Sequence, residues 1–386
     1  MEVNMSNDGR VEFVRSSAKI LRALKREFER DQPFQGLSIG VCLHIEPKTA
    51  LLCEVLQAGG AFVAVTGNIG TTDDATVDYL NTRGITCLGY RTFDRSEHHK
   101  NLRAILDTQP HLLLDNGADL YELLYSAPVP DHFIGGTEET TTGAHKLRER
   151  LSVHHPIFVI NDSLIKLTLE NQYGVGQSVL EAYMDTTNLM INGKDVLVVG
   201  YGWCGKGIAK YFSLMGAKVT VAETSSIAAL AAFMEGYTLS KVSDAIITSD
   251  VVVTATGRPK ALSCEDMKLA KTGCVFMNAG HLREELPIDD YVGQALLVET
   301  LTPGIQKIHL DAEHFHYLLG RGEMVNLTLG KGDPIETVEA GLALQALTLR
   351  HLAVSSDLSS GVFEVPQTLE LALADTLLEA QGITWR

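Results

Sequence analysis

The chain has 386 residues, 45% apolar and 21% charged, which is enough for two or three domains with sizeable cores. Its formal net charge of -16 sets nucleic acid and anionic membranes against it by repulsion. No apolar run approaches the roughly 18 residues that a membrane helix needs. The opening MEVNMSNDGRVEF lacks a basic region followed by an apolar core, so no secretory leader is expected there. The six cysteines (Cys42, Cys53, Cys87, Cys204, Cys264, Cys274) form no C-x-x-C pair. They read as buried thiols of a cytoplasmic protein rather than as a disulfide framework or metal site.

Residues 11–30 have a charged helical pattern, expected to be a surface helix. From Ser38 the texture changes to short apolar runs alternating with helical stretches. Strands are expected at Ser38 to Leu43, Ala61 to Thr66, Thr86 to Tyr90, Leu112 to Leu114 and Phe158 to Ile160, with helices at Thr49 to Gly59 and Asp73 to Gly84. That alternation predicts a parallel, layered α/β domain. Asn171 to Asn192 reads as a helical connector. Val196 to Val199 then forms an apolar strand, followed by Gly200, Gly202 and Gly205 at G-x-G-x-x-G spacing, a helix to Gly216, a second strand and Glu223. This is the full dinucleotide-binding context: a tight turn, close backbone approach to a pyrophosphate, helix dipole and ribose-binding acid. NAD is favoured over NADP because Glu223 suits a ribose diol. Val251 to Thr254 and Cys274 to Met277 read as further strands of that sheet. Their ends, Ala255-Thr256-Gly257 and Asn278-Ala279-Gly280-His281, should face the cofactor. A long helix is expected at Ile335 to Leu352, a linker at Val354 to Val365 and a last helix at Gln367 to Ala380. The domains expected are 1–175 for substrate, 176–330 for NAD, and 331–386 returning to the substrate domain.

Polar groups collect after the apolar strands of the first domain. His44, Glu46, Lys48 and Thr49 follow one; Asp115 and Asn116 follow another; Glu138 and Glu139 lie in GGTEETTTGAH. Lys166, Glu170 and Asn171 fall at helical spacing and could share one face. Singly each has an ordinary reading: a structural histidine, a surface i,i+4 ion pair, a glycine-flanked loop with a helix cap. Their number, at strand ends of a chain with an NAD fingerprint, points to a catalytic site.

GGTEETTTGAHKL, NDSLIKLTLENQYG, VVGYGWCGKGIA, VTATG, NAGH and MVNL together resemble the adenosylhomocysteinase (S-adenosylhomocysteine hydrolase) family, over about residues 35–380. HIEPKTA is similar to its shorter archaeal and thermophile-type branch. The resemblance implies a Rossmann-type NAD domain inserted between two parts of a layered α/β substrate domain. It also implies 3′-oxidation of a bound nucleoside, C4′–H abstraction and 5′-elimination of a thioether. It places Lys166 near the 3′-hydroxyl, Glu139 on the ribose hydroxyls, His44 near the 5′ leaving group, and His281 and Asn326 at the nicotinamide and ribose. It further implies cofactor contacts from Thr140, Thr141, Thr142, Asn171, Trp203, Cys204, Thr256, Gly257, Ala279 and Gly280. It implies substrate contacts from Glu46, Lys48, Thr49, Asn116, Glu170 and Asp333.

The chain departs from the family at several of these positions. Asn116 stands where the family has a second aspartate, Glu170 where it has an aspartate, and Asp333 where it has a histidine. An amide cannot carry a proton. Lys48 has donors only, which suits a carbonyl at C6 better than an amino group. The expected partner is a purine nucleoside or nucleosidyl-homocysteine, with a tetramer or dimer as the assembly the family implies. Two other readings stay open here: a nucleoside 5′-dehydratase or epimerase using the same oxidation–elimination chemistry, and an inactive NAD-binding regulator.

Overall fold

The computed structural model describes residues 7–149, 151–355 and 357–386. Residues 1–6, on which the reading of the opening segment partly rests, lie outside the described residues. The chain forms two compact units, Met1–Leu167 with Ile335–Arg386, and Thr168–Pro334. It is an α/β protein in which a Rossmann-type unit interrupts the sequence of another layered α/β unit.

The first unit is built on a seven-stranded sheet, parallel throughout. Its strands are β1 (Ser38–Leu43), β2 (Phe62–Gly67), β3 (Thr86–Leu88), β4 (Leu112–Asp115), β5 (Gly135–Glu138), β6 (Pro156–Val159) and, late in the chain, β15 (Gly361–Glu364). The apolar runs become central strands because a sheet covered by helices buries both faces. Read from one edge the order is β3-β2-β1-β4-β5-β6-β15, so the winding reverses between β1 and β4.

Three expectations need correction in this unit. The pattern over 11–30 is two helices, Asn7–Ser17 and Lys19–Asp31, and not one surface helix. Val11, Val14, Ile20, Leu21, Leu24 and Phe28 are buried. Ala18, which starts the second helix, has no side chain to cap it. Buried Glu339 replaces the cap, accepting from Ile20 N (2.6 Å) and Leu21 N (2.8 Å). GGTE is the buried strand β5, not a loop. The linker after Val354 contains β15, which pairs with β6.

The second unit has eight strands: β7 (Asp195–Val199), β8 (Lys218–Ala222), β9 (Thr238–Leu239), β10 (Val251–Thr254), β11 (Val275–Asn278), β12 (Leu297–Thr302), β13 (Ile305–His309) and β14 (Phe315–Leu319). The order β9-β8-β7-β10-β11-β14 is parallel and matches the dinucleotide-binding arrangement, with its reversal between β7 and β10. β12 and β13 extend it antiparallel. Leu167–Gly174 is a π-helix, so the 3.6-residue spacing used to place Lys166, Glu170 and Asn171 on one face does not hold there. Its i→i+5 bonding widens the turn, a distortion common at functional sites. Val175–Thr187 then continues as an α-helix. Of the six cysteines, Cys204 is half-buried rather than buried. Among the described residues, no helix is long and apolar enough to cross a membrane.

Candidate functional site

Ligands of open α/β sheets lie outside the carboxyl ends of the strands, where the winding reverses. In the first unit that point is between β1 and β4, and His44 and Asn116 follow those two strands. Glu139 follows β5. The structure joins these three predicted residues in one hydrogen-bonded chain. Asn116 Nδ2 donates to Glu139 Oε2 at 2.6 Å and faces His44 Nε2 at 3.4 Å. Gln345 Nε2, from the buried helix Ile335–Val354, donates to Glu139 Oε1 at 3.1 Å.

The short bond to a carboxylate fixes which way the Asn116 amide points, because the reversed amide would set oxygen against oxygen. His44 Nε2 then faces an N–H and carries the lone pair. Its Nδ1–H donates to Thr71 Oγ1 (2.9 Å), whose own proton goes to Asn68 O (3.2 Å). The amide oxygens of Asn116 and Gln345 are buried and accept no hydrogen bond among the described residues.

Two buried carboxylates form the floor. Asp115 accepts from Asn116 N (2.9 Å) and Tyr121 N (3.1 Å). Glu138 accepts from Gly117 N (2.9 Å), Ala118 N (2.9 Å), and Thr140 N and Oγ1 (both 2.7 Å). Burial pushes Glu138 up to about 7 against the pull of these donors, and raises Asp115 through burial and the neighbouring Glu138. A Cβ on Gly143 would lie 2.2 Å from Glu138 Oε1, so only glycine fits there. Thr140 is thus spent on this floor, while Thr141 and Thr142 open the helix Thr141–Glu149.

Glu46 precedes the helix Pro47–Ala58 at its N-cap position, and buried Lys48 in its first turn pairs with Glu46 at 3.0 Å. Thr49 Oγ1 donates to His44 O at 2.6 Å, tying that helix start to the end of β1. Lys166 is buried at the end of the first unit; Glu170 and Asn171 are buried in the π-helical turn that opens the second.

In the second unit the glycine turn passes the geometric tests of a dinucleotide site. Gly200 has φ +97° and lies against Ala255 O, and a Cβ on Gly205 would be 2.0 Å from Gly200 O. Around Gly202 there is nothing within 4 Å of such a Cβ, leaving space for a phosphate to approach the start of the helix Trp203–Leu214. Trp203 and Cys204 open that helix. Glu223, at the end of β8, is held by Tyr201 N (2.6 Å), Thr224 N (2.6 Å) and Ser225 N (2.7 Å).

A third buried carboxylate, Glu285, ties two loops at the ends of β10 and β11. It accepts from Thr256 N, Thr256 Oγ1 and Gly257 N, each at 2.8 Å, and a Cβ on Gly280 would strike its Oε1. Burial raises its ordinary carboxylate value. Asn278 donates to Gly280 O (2.9 Å), Leu282 O (3.1 Å) and Gly322 O (3.0 Å), shaping the Ala279-Gly280-His281 turn. Asn326 and Asp333 meet through Ser178: Ser178 Oγ donates to Asp333 Oδ1 (2.6 Å), and Asn326 Nδ2 lies 3.1 Å from Ser178 Oγ and 3.2 Å from Asp333 Oδ1.

The sequence points to Glu138 without its role in the floor, and Glu285, Gln345 and Ser178 were missed as organising residues. Gln345 had a signal, a lone amide inside the apolar run Leu342 to Leu347. Ser178 had none.

Residues 171–332 match the family model described as S-adenosyl-L-homocysteine hydrolase, NAD binding domain, and residues 2–132 match the model for S-adenosyl-L-homocysteine hydrolase. The chain is 38% identical to the S-inosyl-L-homocysteine hydrolase of Methanothermobacter thermautotrophicus, over 97% of this chain and 91% of the relative. It is 36% identical to that of Methanosarcina mazei, over 99% and 94%. It is 35% identical to the adenosylhomocysteinase of Archaeoglobus fulgidus, over 97% and 94%. The second unit is an NAD-binding domain, and its glycine turn fits that cofactor.

Proposed function

The chain belongs to the S-adenosyl-L-homocysteine hydrolase family, an NAD-dependent enzyme family, and we propose that it hydrolyses a purine-nucleosidyl homocysteine, S-inosyl-L-homocysteine in preference to the adenosyl compound. The observation that carries the choice of base is the buried Lys48 ammonium held beside the Glu46 carboxylate at 3.0 Å. A 6-oxo purine offers a carbonyl acceptor at C6 next to an N–H donor at N1. Lys48 at C6 and Glu46 at N1 complement that edge. Adenine presents the reverse order, an amino donor at C6 and an acceptor at N1, and would meet an ammonium with N–H groups. The S-inosyl relatives named above are consistent with this assignment.

NAD, when bound, supplies a reversible oxidant at the ribose 3′ carbon. The turn at Gly200, Gly202 and Gly205 would hold its pyrophosphate and Glu223 its adenosine ribose. Thr256, Gly257, Ala279, Gly280, His281, Asn171 and Asn326 would line its nicotinamide half. In the first unit, Lys166 Nζ accepts the proton of the substrate 3′-hydroxyl, and Glu139 accepts hydrogen bonds from the ribose hydroxyls. His44 stands at the 5′ position, where homocysteine leaves and water adds. Asn116 holds Glu139 and His44 in place without carrying a proton. With Lys166 protonated by the 3′-hydroxyl, the C4′ proton falls to His44 Nε2, which passes it to the departing homocysteine sulfur.

The test is a comparison of kcat/KM for S-inosyl- and S-adenosyl-homocysteine, with homocysteine release as the readout, in the wild type and in Lys48→Gln. The wild type should favour the inosyl substrate, and Lys48→Gln should shift the ratio toward adenosyl by about tenfold, the worth of one misplaced hydrogen bond in a buried pocket. Equal rates on both substrates in both proteins would remove the assignment of the base.

A further inference from the structure

We infer that Asp333 is a positioning residue for the cofactor: with Ser178 it turns the Asn326 side chain so that its carbonyl oxygen, and not its amide nitrogen, faces the nicotinamide half of NAD. The inference rests on the reading, given above, that Asn326 borders the cofactor. Glu223 at the end of β8 marks the adenosine side of the sheet, so the loops after β10 and β11 serve the nicotinamide half. Met324 pairs with Asn278 at the end of β11, which brings Asn326, two residues on, to that edge.

The hydrogen bonds leave the amide one orientation. A carboxylate only accepts. Ser178 Oγ has one proton and lies 2.6 Å from Asp333 Oδ1, closer than its alternative acceptor Val175 O at 3.2 Å. Asn326 Nδ2 has two, and its neighbours on this side are Ser178 Oγ at 3.1 Å and Asp333 Oδ1 at 3.2 Å. Turning the amide over would press its oxygen against the carboxylate. With the nitrogen committed, the planar amide presents Oδ1 the other way. That oxygen is buried and accepts no hydrogen bond among the described residues.

A buried amide oxygen that accepts nothing is costly unless a ligand donor meets it. The nicotinamide carboxamide carries an N–H pair of the right chemistry. Histidine, which the family resemblance implies at this position, can donate as well as accept, so it would not impose one orientation on the amide. Aspartate does.

The experiment measures the dissociation constant of NAD from the apo-protein for the wild type, Asn326→Ala, Asp333→Ala, Asp333→Asn and the Asn326→Ala/Asp333→Ala double variant, with apo melting curves alongside. Asp333→Ala should weaken NAD about tenfold, the effect of losing one oriented hydrogen bond. Asp333→Asn can donate as well as accept, so it no longer imposes one orientation and should weaken NAD, though less than Asp333→Ala. The double variant should bind no more weakly than Asn326→Ala alone, since Asp333 acts through that side chain. If Asn326→Ala binds NAD normally, the placement of Asn326 at the cofactor falls. If Asn326→Ala weakens binding and Asp333→Ala does not, or if Asp333→Asn binds NAD as tightly as the wild type, the positioning role falls.

Discussion

The Asn116 amide nitrogen donates to the Glu139 carboxylate at 2.6 Å, where the family resemblance puts a second carboxylate. Asn116→Asp would place two carboxylates within a hydrogen bond of each other, and one of them would have to keep a proton. The variant should therefore acquire a pH dependence that the wild type lacks, with kcat falling as pH rises from 6 to 9. At pH 8 the loss should be about tenfold or more, and near pH 6 smaller. A variant faster than the wild type at every pH would show that the amide is a defect and not a clamp.

Gln345 supplies the donor on the other side of Glu139, at 3.1 Å. Gln345→Leu keeps the apolar packing of its helix and removes that donor. The Glu139 carboxylate would lose one of its two amide partners. Stability should drop by about 1–2 kcal/mol, and kcat/KM by about tenfold, with most of the loss in kcat. Urea unfolding and steady-state kinetics on the same preparation separate the two. Unchanged kcat alongside lowered stability would make Gln345 a packing residue only.

Glu339 caps a helix that has no capping side chain of its own. Glu339→Gln retains an oxygen for the two N–H groups and should cost under about 1 kcal/mol. Glu339→Ala abandons both donors in a buried place and should cost about 2 kcal/mol. Equal losses in the two variants, measured by denaturant midpoint, would contradict the capping role.

His316 is fully buried, hydrogen-bonded to Tyr291, and has Nε2 2.9 Å from Ala270 O. Burial pushes its imidazole down to about 4; Ala270 O pulls it up and His314 adds to the lowering. In the unfolded chain a histidine titrates near 6.5. Between those values the unfolded state binds the proton and the folded state does not. The contribution of this group is thus complete above about pH 6.5 and is lost as pH falls toward 4, up to about 3 kcal/mol. The stability lost between pH 7 and 5 should be larger in the wild type than in His316→Gln. Parallel pH curves for the two proteins would refute it.

The strands and the NAD turn were legible because both are local: apolar runs bounded by glycine, and a glycine spacing whose every member meets a geometric need. Asn116 was visible as a polar group at a strand end and Glu139 within GGTEETTTGAH, but their direct bond was not, because it joins residues that follow two separate strands. Gln345 comes to Glu139 from a helix 206 residues away in sequence, a distance no periodicity spans. The π-helical turn at Leu167–Gly174 was missed because nothing in LTLENQYG distinguishes it from an ordinary α-helical pattern. Strand β5 was hidden by its two glycines, which usually mark loops. Here a Cβ on Gly136 would lie 2.1 Å from Leu113 O of the neighbouring strand, so the sheet itself demands glycine.

The pairing of β15 with β6 sets an order of assembly. Glu364 lies opposite Val159 in that ladder, and the whole second unit is encoded between them. As the chain leaves the ribosome, Thr168–Pro334 is complete while the first sheet still lacks an edge strand and the buried helix Ile335–Val354. The NAD unit can close as soon as it emerges. The first unit must wait for its last segment and close a loop of roughly two hundred residues, a cost that an already folded insert reduces by holding the loop's ends nearer together. Nascent chains held where residue 334 has just emerged should thus already protect the second unit from protease while the first stays open.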